Sequence, residues 1–115
     1  MFVDAHQHFW SIARGDYGWL TAKSGPIYRD FLPADLAPHL RRHGIAKTVL
    51  VQAAPTTEET DYLLRLADET AWVGAVVGCL VGIDVGANVG AEVGTLVAVV
   101  GEAVGALLGL DVGAC

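Results

Sequence analysis

From Val73 onward the sequence falls into tetrapeptides: VGAV, VGCL, VGID, VGAN, VGAE, VGTL and VAVV. After a three-residue slip at Gly101-Glu102-Ala103 the pattern resumes as VGAL, LGLD and VGAC. Ten of the fourteen glycines lie at or after Gly74, and residues 74–115 carry no Lys or Arg. Such regularity is low-complexity sequence, without the varied side-chain volumes that a close-packed core requires. The chain therefore divides into residues 1–78, which can specify a fold, and residues 79–115, a VGxx-repeat tail.

Three physical readings of the tail stand side by side. A helix would stack Gly once per turn in a GxxxG-like stripe, although frequent Gly and Val make a poor helix. A strand fits Val81 to Thr95, where odd positions are apolar and even ones are Gly, Asp, Asn or Glu. A bilayer span is disfavoured because Asp84, Glu92, Glu102 and Asp111 leave no uncharged stretch long enough. Val, Gly and Ala codons all begin with G, so a shifted reading frame in GC-rich DNA generates this kind of repeat. A frameshift or truncation is the expected origin. Translating the other two frames beyond the Gly78 codon should then recover strand and helix patterns, whereas stop codons in both would speak for a separately evolved tail.

Residues 1–78 read as an α/β protein. Phe2–His8 is an apolar first strand, followed by a 24-residue segment, Phe9–Leu32, that holds six of the nine aromatic residues. Segments that long between elements are usually site walls or lids, although a packed cap uses aromatics equally well. A helix is predicted from Ala34 to His43, with Pro33 at its start and Gly44 as its stop. Lys47–Ala53 is nearly continuously apolar, as in a strand buried on both faces of a parallel sheet. Thr56-x-x-Glu59 has the form of a capping box, opening a helix whose apolar stripe is Tyr62, Leu63, Leu66 and Ala67. Trp72–Gly78 is the third strand. The order β-α-β-α-β points to a parallel sheet with crossover helices.

Composition excludes several classes of function. The net charge is −6, and Arg41-Arg42 is the only basic doublet, which argues against nucleic acid because phosphate binding needs clustered cations. No secretory pattern opens the chain. Cys79 and Cys115 do not amount to a disulfide framework, so a cytoplasmic setting and no membrane are expected. The tail's β propensity, low charge and lack of Pro favour self-association. Removing residues 79–115 should improve solubility; a less soluble truncation would mean that the tail covers an exposed edge.

The chemistry-bearing residues are in the first strand. Simple alternation points Phe2, Asp4, His6 and His8 the same way. Two imidazoles about 6–7 Å apart along one wall can share a metal ion, with Asp4 orienting one of them. His39 and His43 are a second pair, four apart on the first helix. They lie near its C-terminus, where imidazoles are stabilised by the helix dipole, and no Glu motif accompanies them.

Asp4-Ala5-His6-Gln7-His8-Phe9-Trp10, Tyr17-Gly18-Trp19, Arg29-Asp30-Phe31-Leu32-Pro33, Thr48-Val49-Leu50-Val51-Gln52-Ala53 and Glu58-Glu59-Thr60 occur in the order seen in a known family. Over these residues the chain resembles amidohydrolase-related enzymes, and within them the branch of lactone hydrolases that includes fuconolactonase and sulfomuconolactonase. The resemblance implies a (β/α)8 TIM-like barrel with its site at the carboxyl ends of the strands. The first 78 residues would be its N-terminal β-α-β-α-β portion, out of the roughly 250 residues of a whole barrel. It further implies His6 and His8 as ligands of a divalent metal, zinc or manganese, or as substrate contacts where no metal is used. Gln52 would be a catalytic residue at the same mouth, and the substrate a small-molecule lactone. The family's later-strand histidines and its aspartate near the barrel end have no match here. The 115-residue chain alone is therefore expected to show little or no hydrolase activity; the alternative is a non-catalytic remnant or a self-associating interaction protein.

Overall fold

The computed structural model describes residues 1–79; the repeat tail, with its three candidate conformations and its expected self-association, lies outside the described residues. In order along the chain are strand β1 (Phe2–Gln7), two short 3₁₀ turns (Ile12–Arg14 and Ala22–Ile27), helix α1 (Pro33–His43), strand β2 (Ile45–Val51), helix α2 (Thr57–Glu69) and strand β3 (Val73–Val77). The strands form one parallel sheet in the order β1-β2-β3, as the alternation of strands and helices predicts. No helix among the described residues is long and apolar enough to cross a membrane.

Local chemistry sets the helix ends. Pro33 opens α1, and the Asp35 carboxylate accepts the Leu32 N–H at 2.9 Å while Leu32 O accepts the Asp35 N–H at 2.9 Å. Gly44 closes the helix with φ 66°, a left-handed conformation in which a Cβ is strained. Thr56 caps α2 by accepting the Glu59 N–H on its hydroxyl at 3.2 Å. The return bond of the expected capping box is absent, because the Glu59 carboxylate turns the other way, to the Ala53 N–H.

All three strands differ from expectation in their bounds. β1 ends at Gln7 rather than His8, β2 runs from Ile45 to Val51 rather than from Lys47 to Ala53, and β3 from Val73 to Val77 rather than from Trp72 to Gly78. His8 and Gln52 thus each sit one residue past the carboxyl end of a strand. The Gln52 N–H still reaches Val77 O at 2.7 Å, so β2 and β3 stay tied there.

Helix α2 packs on the sheet through Leu63 and Ala67, which meet Leu50, Val73 and Val76, with Phe9 in the same cluster. Phe9 and Trp72 meet edge to face at 6.0 Å. A smaller cluster of Tyr17, Leu20 and Ala54 lies under the aromatic segment. That segment is closed on itself by a two-way backbone bridge between Trp10 and Phe31, both bonds at 3.0 Å. Arg14 fastens it to α2, donating to Glu58 O at 3.2 Å and lying over the Tyr62 ring at 4.2 Å.

Gly78 follows β3 against the buried Thr60: an added Cβ would come within 2.5 Å of the Thr60 hydroxyl oxygen and 3.1 Å of its methyl. Thr60 is enclosed and cannot swing away freely. Gly78→Ala should therefore cost about 1–3 kcal/mol, read as a lower urea midpoint. An unchanged midpoint would show that the β3–α2 contact yields without penalty.

Candidate functional site

The two histidines of the first strand converge. His6 Nε2 and His8 Nε2 lie 3.1 Å apart, with ring centroids at 4.9 Å. His8 Nδ1 sits 2.8 Å from the Val51 carbonyl oxygen. A carbonyl only accepts, so in the neutral ring Nδ1 carries the proton and Nε2 offers its lone pair toward His6.

Simple alternation is not what brings them together. The β1–β2 register shifts between Phe2 and Val3 and again between Asp4 and Gln7. The Asp4 carboxylate accepts the His6 backbone N–H at 3.1 Å, stabilising the second irregularity. Asp4 therefore shapes the backbone that presents His6, and the expected orienting contact to an imidazole is made instead to His8 by the Val51 carbonyl.

The geometry fits one metal ion as far as two ligands can. Two imidazole nitrogens 3.1 Å apart are close enough that both would reach one zinc ion at ordinary bond lengths of about 2.0–2.1 Å. A backbone carbonyl fixing the far nitrogen of a ligating imidazole is the usual supporting arrangement. Among the described residues, however, no group of three or more His, Cys, Asp or Glu side chains converges on one point. His6 and His8 are thus the two imidazoles brought together here, with no third such side chain beside them among the described residues.

Aromatic rings wall the pair on one side. Trp10 lies 6.5 Å from His8, centroid to centroid, and meets Trp19 at 5.4 Å and Phe31 at 5.3 Å. Both indole N–H groups are held by the backbone, Trp10 to Arg29 O at 2.8 Å and Trp19 to Ala53 O at 2.9 Å. Trp19 remains 50% exposed, so its free surface is mainly apolar ring.

Gln52 follows directly on the Val51 carbonyl that anchors His8. Its Oε1 is buried with no hydrogen-bond partner in the structure. His39 is on α1, at the rim of a cavity of about 240 Å³ that is also lined by Gln7, His8, Phe9, Arg29 and Asp35. Nothing among the described residues joins His39 and His43 into a metal-binding group.

The residue that sequence reasoning misassigned is Glu59. It is fully buried, and its Oε1 accepts the Ala53 N–H at 2.7 Å while Oε2 has no partner. Burial pushes its carboxyl upward from the ordinary value of 4.5, against the Ala53 and Ala54 N–H groups and Arg14, which favour the anion, and with Asp16 adding to the rise. The neighbouring Tyr17 and Tyr62 hydroxyls are also pushed up by burial. A signal was present in the sequence: Glu59 lies four and eight positions before Leu63 and Ala67, on the buried stripe.

The sign of its effect on stability follows. With a folded pKa above the unfolded one, the folded chain holds the proton more tightly, so this group's contribution falls as pH rises from 4.5 through the raised value. The stability of Glu59→Gln relative to the natural chain should therefore increase across that window. A difference that stays constant with pH, measured by urea unfolding, would contradict the buried carboxylate.

Comparison with known proteins bears on the same segment. No protein-family model matches the chain. It is 53% identical over 74 residues to an L-fucono-1,5-lactonase of Burkholderia ambifaria, covering 64% of this chain and 26% of that protein. An L-fucono-1,5-lactonase of Burkholderia multivorans is 41% identical over 74 residues, covering 64% and 25%. A crystal structure of an amidohydrolase from Burkholderia multivorans with bound HEPES superposes with a TM-score of 0.62 at 40% identity, over 68% of this chain and 27% of that one. Over this span the chain is similar to these lactonases in sequence and to this amidohydrolase in sequence and backbone fold. A second crystal form of that amidohydrolase, with the same TM-score and identity, contains bound zinc and is covered over 28% of its length. The chain thus spans about a quarter of the length of the curated relatives it matches.

Proposed function

We propose that residues 1–78 form the opening β-α-β-α-β of an amidohydrolase (β/α)8 barrel that hydrolyses a sugar-derived lactone. The observation that carries this reading is the convergence of His6 Nε2 and His8 Nε2 at 3.1 Å at the carboxyl end of β1, His6 within the strand and His8 one residue beyond it. Support comes from the lactonase relative 53% identical over 74 residues. Active sites of such barrels form at the carboxyl ends of the strands.

His6 and His8 would hold a divalent metal, zinc or manganese, together with ligands supplied from elsewhere in the barrel. Such an ion polarises a carbonyl and lowers the pKa of bound water. The chain's own residues do the rest of what can be assigned here. The Val51 carbonyl keeps His8 in the tautomer whose Nε2 lone pair faces the site. Gln52, next along the chain, hydrogen-bonds the substrate. Trp10 and Trp19 offer ring faces against which the C–H face of a pyranose-like lactone can lie.

A chimera tests this reading. Residues 1–78 would replace the matching segment of the Burkholderia multivorans L-fucono-1,5-lactonase, and hydrolysis of that lactone would be followed. The chimera should retain activity, and its His6→Ala and His8→Ala forms should lose most of it. A folded chimera without activity would count against the proposal. The free 115-residue chain should be inactive or nearly so; turnover near that of an ordinary enzyme would mean that two imidazoles suffice.

The non-catalytic alternative draws support from β1, a sheet edge on which Phe2 and Val3 are 73% and 49% exposed. Such an edge can pair with another chain. A concentration-dependent oligomer abolished by Val3→Lys would favour it.

A further inference from the structure

Buried carboxylates are costly, and those in small α/β units are normally paired with a cation or fully hydrogen-bonded. Glu59 is neither. It is fully buried on α2, Oε1 accepts the Ala53 N–H with the Ala54 N–H and Arg14 nearby, no ion pair holds it, and Oε2 is left without a partner. None of the salt bridges among the described residues includes it. The helix would be held more cheaply by an apolar residue there, since positions 63 and 67 of the same stripe are Leu and Ala.

The peptide it holds is the point of interest. Ala53 uses both of its backbone groups across the site: its N–H donates to Glu59 Oε1 at 2.7 Å, and its carbonyl accepts the Trp19 indole N–H at 2.9 Å. Trp19 in turn meets Trp10 edge to face at 5.4 Å, and Trp10 stands 6.5 Å from His8. Hydrogen bonds in series through one peptide polarise each other. A carboxyl group on α2 is thereby coupled to the orientation of Trp19, the indole packed on the ring beside His8.

We propose that Glu59 is a positioning residue: through the Ala53 peptide it fixes Trp19, which backs the Trp10 ring that walls His8. This deepens the reading of that site given above and rests on it for the meaning of the wall, though not for the coupling itself. An aromatic surface that contacts a ring-shaped ligand must be held at one angle; Trp19 is half exposed, meets Trp10 and Tyr17 edge to face, and has its indole N–H fixed by the Ala53 carbonyl.

The test uses the full 115-residue chain labelled with ¹⁵N, whose three indole N–H signals are assigned with Trp10→Phe and Trp19→Phe. In Glu59→Ala, exchange of the Trp19 indole proton should accelerate about tenfold relative to that of Trp10, the change one lost hydrogen bond supports. Trp10 is the internal reference because its N–H is bonded to Arg29 O, off the Ala53 path. Glu59→Gln keeps an oxygen for Ala53 and should keep the ratio within about threefold. Should Glu59→Ala fail to fold, Glu59→Asp retains the charge but withdraws the oxygen by one methylene, and the same selective loss at Trp19 is expected. If Trp10 and Trp19 accelerate equally in the folded variants, Glu59 is a packing residue only and the proposal fails. Zinc titration of the same samples separates the two readings. Binding that survives at His6 and His8 alongside an unchanged Trp19 rejects the positioning role alone, and absent binding in the natural chain rejects the metal-site reading alone.

Discussion

Replacing Leu63 by Ala is expected to cost about 2–5 kcal/mol of folding free energy, the range for truncating a fully buried Leu. Leu63 is completely enclosed, and its cluster contains Leu50, Val73, Val76 and Phe9, one element from each of the three strands or their ends. Leu36 of α1 and Trp72 border the same cluster, and how far they relax into the void decides where in that range the cost falls. Small domains have only about 5–15 kcal/mol in total, so a large fraction of the chains should be unfolded in water. Far-ultraviolet circular dichroism against urea would show it. Arg65→Ala, on the exposed face of the same helix, should stay within about 0.5 kcal/mol. Equal losses at 63 and 65 would mean that α2 does not pack as described.

His8→Ala should weaken zinc binding more than His6→Ala does. Either substitution leaves a single imidazole, which loses the advantage of two donors already held 3.1 Å apart. Loss of His8 does further damage, because the Val51 carbonyl then has no ring N–H to accept and the strand end it steadies is loosened. Contacts that orient a metal-bound imidazole typically contribute about 10–100-fold in affinity. Isothermal titration of the two single variants should therefore separate them by about tenfold. Equal affinities would indicate that the carbonyl contact contributes nothing to presentation of the ring.

Much of this fold was readable because periodicity and end signals agreed. Pro33 and Gly44 bracket α1, Thr56 caps α2, and the near-continuous apolar run at Val49-Leu50-Val51 marks a central parallel strand. Boundaries slipped by up to two residues where β ladders end without a local marker, as at Gln7 and Val51. The histidine pair was legible from its spacing, but the register shift in β1 was not. That shift depends on the Asp4 carboxylate taking a backbone N–H, a choice invisible to alternation. The aromatic density of residues 9–32 was plain, whereas the bridge between Trp10 and Phe31 joins residues too far apart for any local pattern to announce. Glu59 was hidden by its fit to a familiar motif. Thr56-x-x-Glu59 satisfies the capping pattern, and only position on the Leu63/Ala67 stripe distinguishes a solvent-facing cap from a buried carboxylate.

The central claim is that His6 and His8 are two ligands of one metal site, and thermal unfolding with and without zinc tests it most directly. Two imidazoles alone bind weakly, and stabilisation grows only with the logarithm of metal concentration over dissociation constant. The natural chain should therefore show a small upward shift in Tm with millimolar zinc. The shift should vanish in His6→Ala/His8→Ala and persist in His39→Ala/His43→Ala. A shift that survives loss of His6 and His8 but disappears with His39 and His43 would place the metal on α1 and contradict the assignment.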